Sequence, residues 1–234
     1  MSAFQFKKFS VSHDKCAMKV GTDGVLIGAW ANHHHPSTIL DIGTGSGLIS
    51  FMMAQRFHNA KIKGIDIDEE AILQARENKA INPWKERIVF QHQSLSELSP
   101  SSSFDLIVSN PPFYDGTNTS GNIRRDLARQ NNSLPPSLLF KHVASILQTA
   151  GSFCCILPSN TAMLYEQEAN DVGLFNHKEI KVKGNKSAPI KRVLIQFGFE
   201  EKEKITEELV IETEKRHVYT SQYLSLVKDF YLFA

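Results

Sequence analysis

The stretch from Thr38 through Ile42, Gly43-Thr44-Gly45-Ser46-Gly47 and Leu48 constrains the fold more than any other part of the sequence. Thr38-Ile39-Leu40-Asp41-Ile42 reads as a buried strand, and Leu48 to Phe57 reads as an apolar helix. A strand, a turn of small residues and a helix N-terminus in direct succession open an α/β nucleotide-type site, because a ligand can approach the backbone there. Spacing narrows the ligand. A dinucleotide fingerprint needs a glycine three places after its second one, and counted from Gly45 that place holds Leu48.

The same alternation continues. Lys61 to Asp68 predicts a second strand ending in acid about twenty residues beyond the loop, where Asp66 can accept hydrogen bonds from both hydroxyls of a ribose. Asp68 is placed to open the next helix, Glu69 to Ala80, with Ile72, Ala75 and Ala80 as its buried stripe. Arg87 to Gln93 follows the break at Asn82-Pro83 as a third strand. Phe104 to Ser109 is a fourth, ended by Asn110-Pro111-Pro112-Phe113. Ser137 to Gln148 predicts a helix terminated by Gly151. Phe153 to Pro158, Glu179 to Lys183 and Lys191 to Phe199 complete the strands, with Leu209 to Glu212 a possible edge piece and Tyr219 to Phe233 an amphipathic helix. Before the glycine loop, Thr22 or Asp23 is expected to cap a short helix running to Trp30. His33-His34-His35 reads as a surface loop, since adjacent histidines converge poorly on one ion.

Composition removes several classes. The 234 residues suffice for one domain with a full core. Lys and Arg number 26 against 25 Asp and Glu, a net charge of +1, which argues against a DNA-coating protein. Lys181, Lys183, Lys186, Lys191 and Arg192 nevertheless concentrate positive charge, as a candidate phosphate-binding patch. Cys16, Cys154 and Cys155 lack the spacing of a disulfide framework or a zinc site, so no metal is expected and a reducing cytoplasm fits. No run approaches the roughly 18 apolar residues of a membrane span. Phe4, Phe6 and Phe9, among Lys7 and Lys8, are expected to cap the core. Residues 114 to 133, with Arg124, Arg125 and Arg129, form a polar loop suited to substrate contact.

The tetrapeptide carries the chemistry. In an open α/β sheet, reacting groups sit at the carboxyl ends of strands, and two prolines end the ladder there. An amino group conjugated to a ring or a carbonyl is a poor nucleophile, because its lone pair is delocalised. The amide oxygen of Asn110 and the carbonyl of Pro111 can accept both of its hydrogens, favouring a pyramidal nitrogen whose lone pair points at an electrophile. Pro112 stiffens this geometry and Phe113 offers a face for stacking, worth about 1 to 3 kcal/mol at other nucleic-acid sites. Adenine and glutamine pose the same problem, so both remain candidates.

The Asp-x-Gly-x-Gly-x-Gly form of Asp41 to Gly47, together with Asn110 to Phe113, resembles class I S-adenosylmethionine-dependent methyltransferases of the amino-methylating group. Cys16 to Leu26, Leu40 to Ile49, Ser109 to Phe113 and Phe230-Tyr231-Leu232-Phe233 make the chain similar, over almost its full length, to the bacterial valine tRNA adenine-37 N6-methyltransferases. The resemblance implies an α/β, Rossmann-like class I fold: a seven-stranded, mostly parallel sheet with an antiparallel last strand and helices on both faces. It implies one domain, with residues 1–36 packing at the cofactor site and 201–234 adding an edge strand and helix. S-adenosylmethionine would be the cofactor, tRNA the partner, with no membrane and no obligate protein partner. Asn110, Pro111, Pro112 and Phe113 would be catalytic. Asp41, Gly43, Gly45, Gly47, Asp66, Ile67 and Ser94 would hold the cofactor, with Lys19, Thr22 and Asp23 near its methionine end. Ser94 stands where many relatives of this class carry the acid that binds the cofactor's adenine, and Phe113 stands in place of a tyrosine. The rivals are a protein glutamine N5-methyltransferase, which usually carries an extra N-terminal helical domain, and a non-catalytic RNA-binding module on the same fold.

Overall fold

The computed structural model describes residues 3–111 and 134–234. Along the chain come β1 (Phe4–Gln5), β2 (Ser10–Val11), α1 (Thr22–Trp30), β3 (Thr38–Ile42), α2 (Leu48–Arg56), β4 (Lys61–Asp66), α3 (Glu69–Ile81) and β5 (Ile88–His92). A short 3-10 turn, Leu95–Glu97, precedes β6 (Phe104–Ser109). Then follow α4 (Pro136–Ile146), β7 (Leu147–Pro158), α5 (Ala162–Asn170), β8 (Phe175–Lys183), β9 (Ile190–Gly198), β10 (Ile205–Val210) and α6 (Ser221–Val227).

The main sheet has the order β10-β8-β9-β7-β6-β3-β4-β5. Every pairing is parallel except those of β9, which runs antiparallel to β7 and β8. Both faces are covered, so strand residues divide alternately between two cores. Ile39, Ile62, Leu106, Val108, Cys154 and Ile156 pack on the side of α1, α2 and α3. Leu40, Ile65, Ile107, Phe153, Cys155 and Leu157 pack on the side of α4 and α5. Cys154 and Cys155 are wholly buried, and burial pushes the Cys154 thiol up to about 12.

Three expectations are corrected. The sheet has eight strands among the described residues, because β10 extends it parallel to β8, and the antiparallel strand is β9 rather than the last. Only Leu209 of β10 is buried, so this edge strand carries almost no apolar signal. Gly151 does not end a helix. It lies inside β7 at a bulge against β6, where an added Cβ would fall 2.7 Å from the Leu147 side chain and 2.9 Å from the Gln148 carbonyl oxygen. The C-terminal helix is confined to Ser221–Val227, after which the chain turns and stacks Phe233 on Tyr219 and Tyr231, with ring centroids 5.0 and 4.7 Å apart.

The N-terminal residues are held by α3 in a way that periodicity does not reveal. Phe6 and Phe9 are buried and stacked, with centroids 4.5 Å apart, whereas Phe4 is exposed. Beyond them, Gln74 and Asn78 of α3 and its C-cap residue Asn82 stand one above another and bond to the backbone of residues 10–15. Asn82 Oδ1 accepts the Ser10 N–H at 3.2 Å while its Nδ2 donates to the Ser10 carbonyl at 3.0 Å. Asn78 does the same to Ser12 at 2.9 and 2.8 Å, and Gln74 Oε1 accepts the Lys15 N–H at 3.3 Å. Four helical residues rise about 6 Å and two extended residues about 6.6 Å, so the step from Asn82 to Asn78 matches that from Ser10 to Ser12.

Asn78 also donates to the carbonyl of Ser46, 2.9 Å away in the glycine loop. Asn78→Leu therefore strands the half-buried Ser12 backbone groups and one buried loop carbonyl. The expected cost is about 2 to 4 kcal/mol, read as a lowered urea midpoint.

Candidate active site

The glycine loop and the end of β6 are neighbours because β3 pairs with β6, Ile42 opposite Ser109. Ser109 is buried, and its hydroxyl donates to the Ile42 carbonyl at 2.9 Å, locking the two strand ends together. Asn110 leaves β6 beside Gly43 leaving β3, one strand spacing of about 4.8 Å across. Asn110 Oδ1 is enclosed and has no hydrogen-bond partner among the described residues. Pro111 is buried next to it. Pro112, Phe113 and the polar loop of residues 114–133 lie outside the described residues.

The loop is shaped by its glycines and two carboxylates. Gly47 takes φ 86° at the start of α2, where a Cβ would lie 2.7 Å from the Phe90 ring, so no other residue fits. Gly45 has φ 54°, with open space on its Cβ side. The N–H groups of Gly43 and Thr44 both reach the Ile65 carbonyl of β4, at 2.9 and 3.0 Å. Asp66 completes the tie: Oδ2 accepts the Gly45 N–H at 2.8 Å and Oδ1 accepts the Asp68 N–H at 3.0 Å. Each oxygen retains a lone pair for a ligand hydroxyl. Burial raises the Asp66 pKa against these bonds.

Asp41 is wholly buried below the loop. Its Oδ2 accepts the Thr44 hydroxyl at 2.6 Å, the Ser50 hydroxyl at 2.7 Å and the Ser50 N–H at 3.1 Å. Its Oδ1 has no hydrogen-bond partner among the described residues. Burial lifts the carboxyl from 3.8 to about 6, partly offset by the Thr44 and Ser50 bonds and reinforced by the nearby Asp66 charge.

The remaining sequence candidates spread around this centre. A Cβ on Gly24 would meet Leu48 at 3.0 Å, and one on Gly28 would meet Met52 at 2.5 Å, so α1 lies along α2 in step with it. Thr22 and Asp23 therefore stand at the loop end of α1. The cap of α1 is the backbone of Gly21, with no side-chain bond, contrary to the expectation for Thr22 or Asp23. Asp23 instead pairs with Arg192 at 2.8 Å, and Lys19 is exposed. Ile67, beyond Asp66, is 45% exposed, and its carbonyl accepts from His92 Nε2 at 3.0 Å. Asp68 caps α3 as expected, accepting from the Glu70 and Ala71 N–H groups. Ser94 serves in the capping box of the 3-10 turn, its N–H donating to Glu97 Oε2 at 2.8 Å and its hydroxyl 2.7 Å from that of Ser96.

Gln93 is the neighbour that sequence reasoning missed. Its N–H donates to the Asp66 carbonyl at 3.0 Å and its Nε2 to the Glu97 carbonyl at 3.1 Å, leaving Oε1 enclosed and without a partner among the described residues. The only sequence signal was its place at the end of β5.

Two carboxylates around an open glycine loop, one with an unpartnered oxygen, suit a cationic cofactor with ribose hydroxyls better than a diphosphate. S-adenosylmethionine carries an ammonium and a sulfonium, so the donor set fits it. Asp66 would take the ribose hydroxyls, and Asp41 would face the positive methionine portion.

Comparisons with known proteins agree with this geometry. Residues 17–136 match the family described as "Methyltransferase small domain". A tRNA1(Val) (adenine(37)-N6)-methyltransferase of Flavobacterium johnsoniae is 44% identical over 98% of this chain and 99% of its own. One of the same description from Bacteroides thetaiotaomicron is 43% identical over 98% of this chain and 97% of its own. Among solved structures, a predicted O-methyltransferase from Agrobacterium tumefaciens superposes with a TM-score of 0.68 at 15% identity, covering 89% of this chain and 96% of its own, which establishes the shared fold. With the glycine loop and the strand-end asparagine held side by side, these matches place the chain in the family of tRNA1(Val) (adenine(37)-N6)-methyltransferases.

Proposed function

We propose that this protein methylates N6 of adenine 37, just 3′ of the anticodon, in a valine tRNA. The observation that carries the reading is the unpartnered amide oxygen of Asn110, beside the glycine loop at the end of β6. S-adenosylmethionine, when bound, supplies a methyl group on a sulfonium already activated to leave. The protein's own part is alignment and electrostatics.

Asn110 Oδ1 and the Pro111 carbonyl accept the two N6 hydrogens, turning the nitrogen lone pair towards the loop. Pro112 limits the freedom of that carbonyl, and Phe113 stacks on the base once it is drawn from the RNA. No strong base is required, because the amino nitrogen becomes acidic as it gains the methyl and sheds its proton afterwards. Thr22, Asp23 and Lys19 flank the methionine end of the cofactor, Ile67 lies along its adenosine, and Ser94 with its neighbours meets the adenine edge. Residues 1–36 wall the cofactor site, as their ties to α3 and the loop favour. The enzyme acts in the cytoplasm without an obligate protein partner. Among the described residues no helix is long and apolar enough to cross a membrane.

The test uses purified protein, cofactor labelled in its methyl group and an unmodified valine tRNA transcript. N6-methyladenosine in the nucleoside digest, lost when adenine 37 is replaced by guanine, is the expected result. Label in a protein substrate and none in RNA would sink the reading in favour of glutamine methylation.

A further inference from the structure

The basic residues singled out in the sequence are of two kinds. Lys183 pairs with Glu208 at 2.9 Å, Lys181 lies 3.7 Å from Glu179, and Arg192 pairs with Asp23. Lys178 is likewise held by Glu207 at 2.7 Å. The acids of β10 thus neutralise Lys178 and Lys183 of β8, and Glu179 of β8 itself lies beside Lys181. Lys186, on the loop between β8 and β9, and Lys191, at the start of β9, are exposed and make no ion pair among the described residues.

A second set of cations arrives at the same place from further along the chain. Because β10 runs parallel to β8, and β8 runs with β7 and β6, the chain leaves β10 at the edge where Asn110 and the glycine loop lie. There the Ile211 N–H donates to the Lys183 carbonyl at 3.0 Å and the Glu212 N–H to the Gly184 carbonyl at 2.8 Å. A hairpin follows, closed by the Glu212–Tyr219 bridge and by bonds from Thr213 to the Val218 carbonyl and from Thr220 to the Ile211 carbonyl, at 2.7 and 2.9 Å. Its exposed tip is Glu214-Lys215-Arg216-His217. Glu212 is occupied by His217, taking its N–H at 3.2 Å. Lys215 and Arg216 have no ion-pair partner among the described residues. The hairpin is stitched to the start of the loop that carries Lys186 and leads into Lys191 at the head of β9, so the four cations stand at one edge of the sheet.

We propose that Lys186, Lys191, Lys215 and Arg216 form a ridge that holds backbone phosphates of the RNA while the target base enters at Asn110. This rests on the RNA reading above and names the surface that reading needs. β10 stands four strand spacings from β6 in the sheet order. At about 4.8 Å each that is roughly 19 Å for the hairpin after β10, and roughly 10 Å for Lys191 on β9, two spacings from β6, so the ridge grips RNA away from the reacting nucleotide.

The test measures affinity of the full chain for valine tRNA against salt, using Lys186→Gln/Lys191→Gln, Lys215→Gln/Arg216→Gln and Lys183→Gln. Each double variant is expected to bind about tenfold or more weakly and to flatten the slope of log K against log salt by about 1 to 2. Lys183→Gln, whose lysine is already neutralised, should leave the slope unchanged. Cofactor affinity by calorimetry and the thermal midpoint should match wild type throughout. Wild-type slopes in both double variants, with tRNA still methylated, overturn the ridge and leave the proposed function standing. A wild-type protein that neither binds tRNA nor forms N6-methyladenosine overturns both.

Discussion

Asn110→Ala is expected to lower the single-turnover rate of tRNA methylation about 10²- to 10³-fold, the usual effect of deleting one preorganised group aimed at a reacting atom. Affinity for S-adenosylmethionine should stay within about twofold, because the loss falls on a transition-state contact. The reasoning is geometric. Asn110 Oδ1 is enclosed and bonded to nothing among the described residues, so the fold bears its desolvation without local return. Ser109 fixes its origin by bonding β6 to β3. Asn110→Asp keeps an acceptor in place and should retain much of the rate. Asn110→Gln moves the acceptor by one methylene and should behave like alanine. The ranking among the three distinguishes an oriented acceptor from a merely structural turn, and an alanine variant at full rate would remove Asn110 from the mechanism.

Asp41 governs the second large effect. Its carboxyl titrates at about 6 in the free protein, with burial the main cause. A raised carboxyl pKa means that the folded state holds the proton more tightly than the unfolded chain, so stability from this group is highest in acid. It falls as pH rises from 3.8 to about 6. A cation beside Oδ1 reverses the preference and favours the charged form. Cofactor affinity is therefore expected to be flat above about pH 7 and to drop towards tenfold per pH unit well below pH 6, with one proton released on binding. Calorimetry in buffers of different ionisation enthalpy reads that proton directly. Asp41→Asn should bind about 10- to 100-fold more weakly at pH 7.5, the worth of one charge-assisted hydrogen bond, and should lose the acid limb. An unchanged limb would assign it to another group.

The parts of the site that sequence made legible are those built from backbone geometry. Three glycines after a strand, an acid at the next strand end and a proline closing β6 each dictate a local shape, so the places of Gly43, Gly45, Gly47, Asp66 and Pro111 followed from spacing. Asp68 was legible for the same reason, since a helix cap is a local device. What escaped were contacts made by polar side chains across long separations. Asp23 and Arg192 are 169 residues apart, and nothing in either neighbourhood announces the other. Gln74, Asn78 and Asn82 resemble the solvated face of a helix in any hydropathy pattern, yet all three are buried. β10 was hard to place because an edge strand with one buried residue looks like a linker. Gly151 was misassigned because a glycine after an apolar helix also fits a cap; only the crowding by Leu147 and Gln148 shows that its task is close approach.

The amide ladder on α3 also sets an order of events. Residues 10 to 15 emerge from the ribosome before the rest of the domain, yet their partners at residues 74, 78 and 82 are made later, and Lys7 must wait for the carbonyl of Phe230. Residues 10 to 15 thus find these partners only once α3 has been made. During synthesis its backbone donors and acceptors remain open to water, and the loop carbonyl of Ser46 lacks its amide until α3 has formed. One side chain, Asn78, thus ties the Ser12 backbone and the glycine loop together, and it can do so only once α3 is in place.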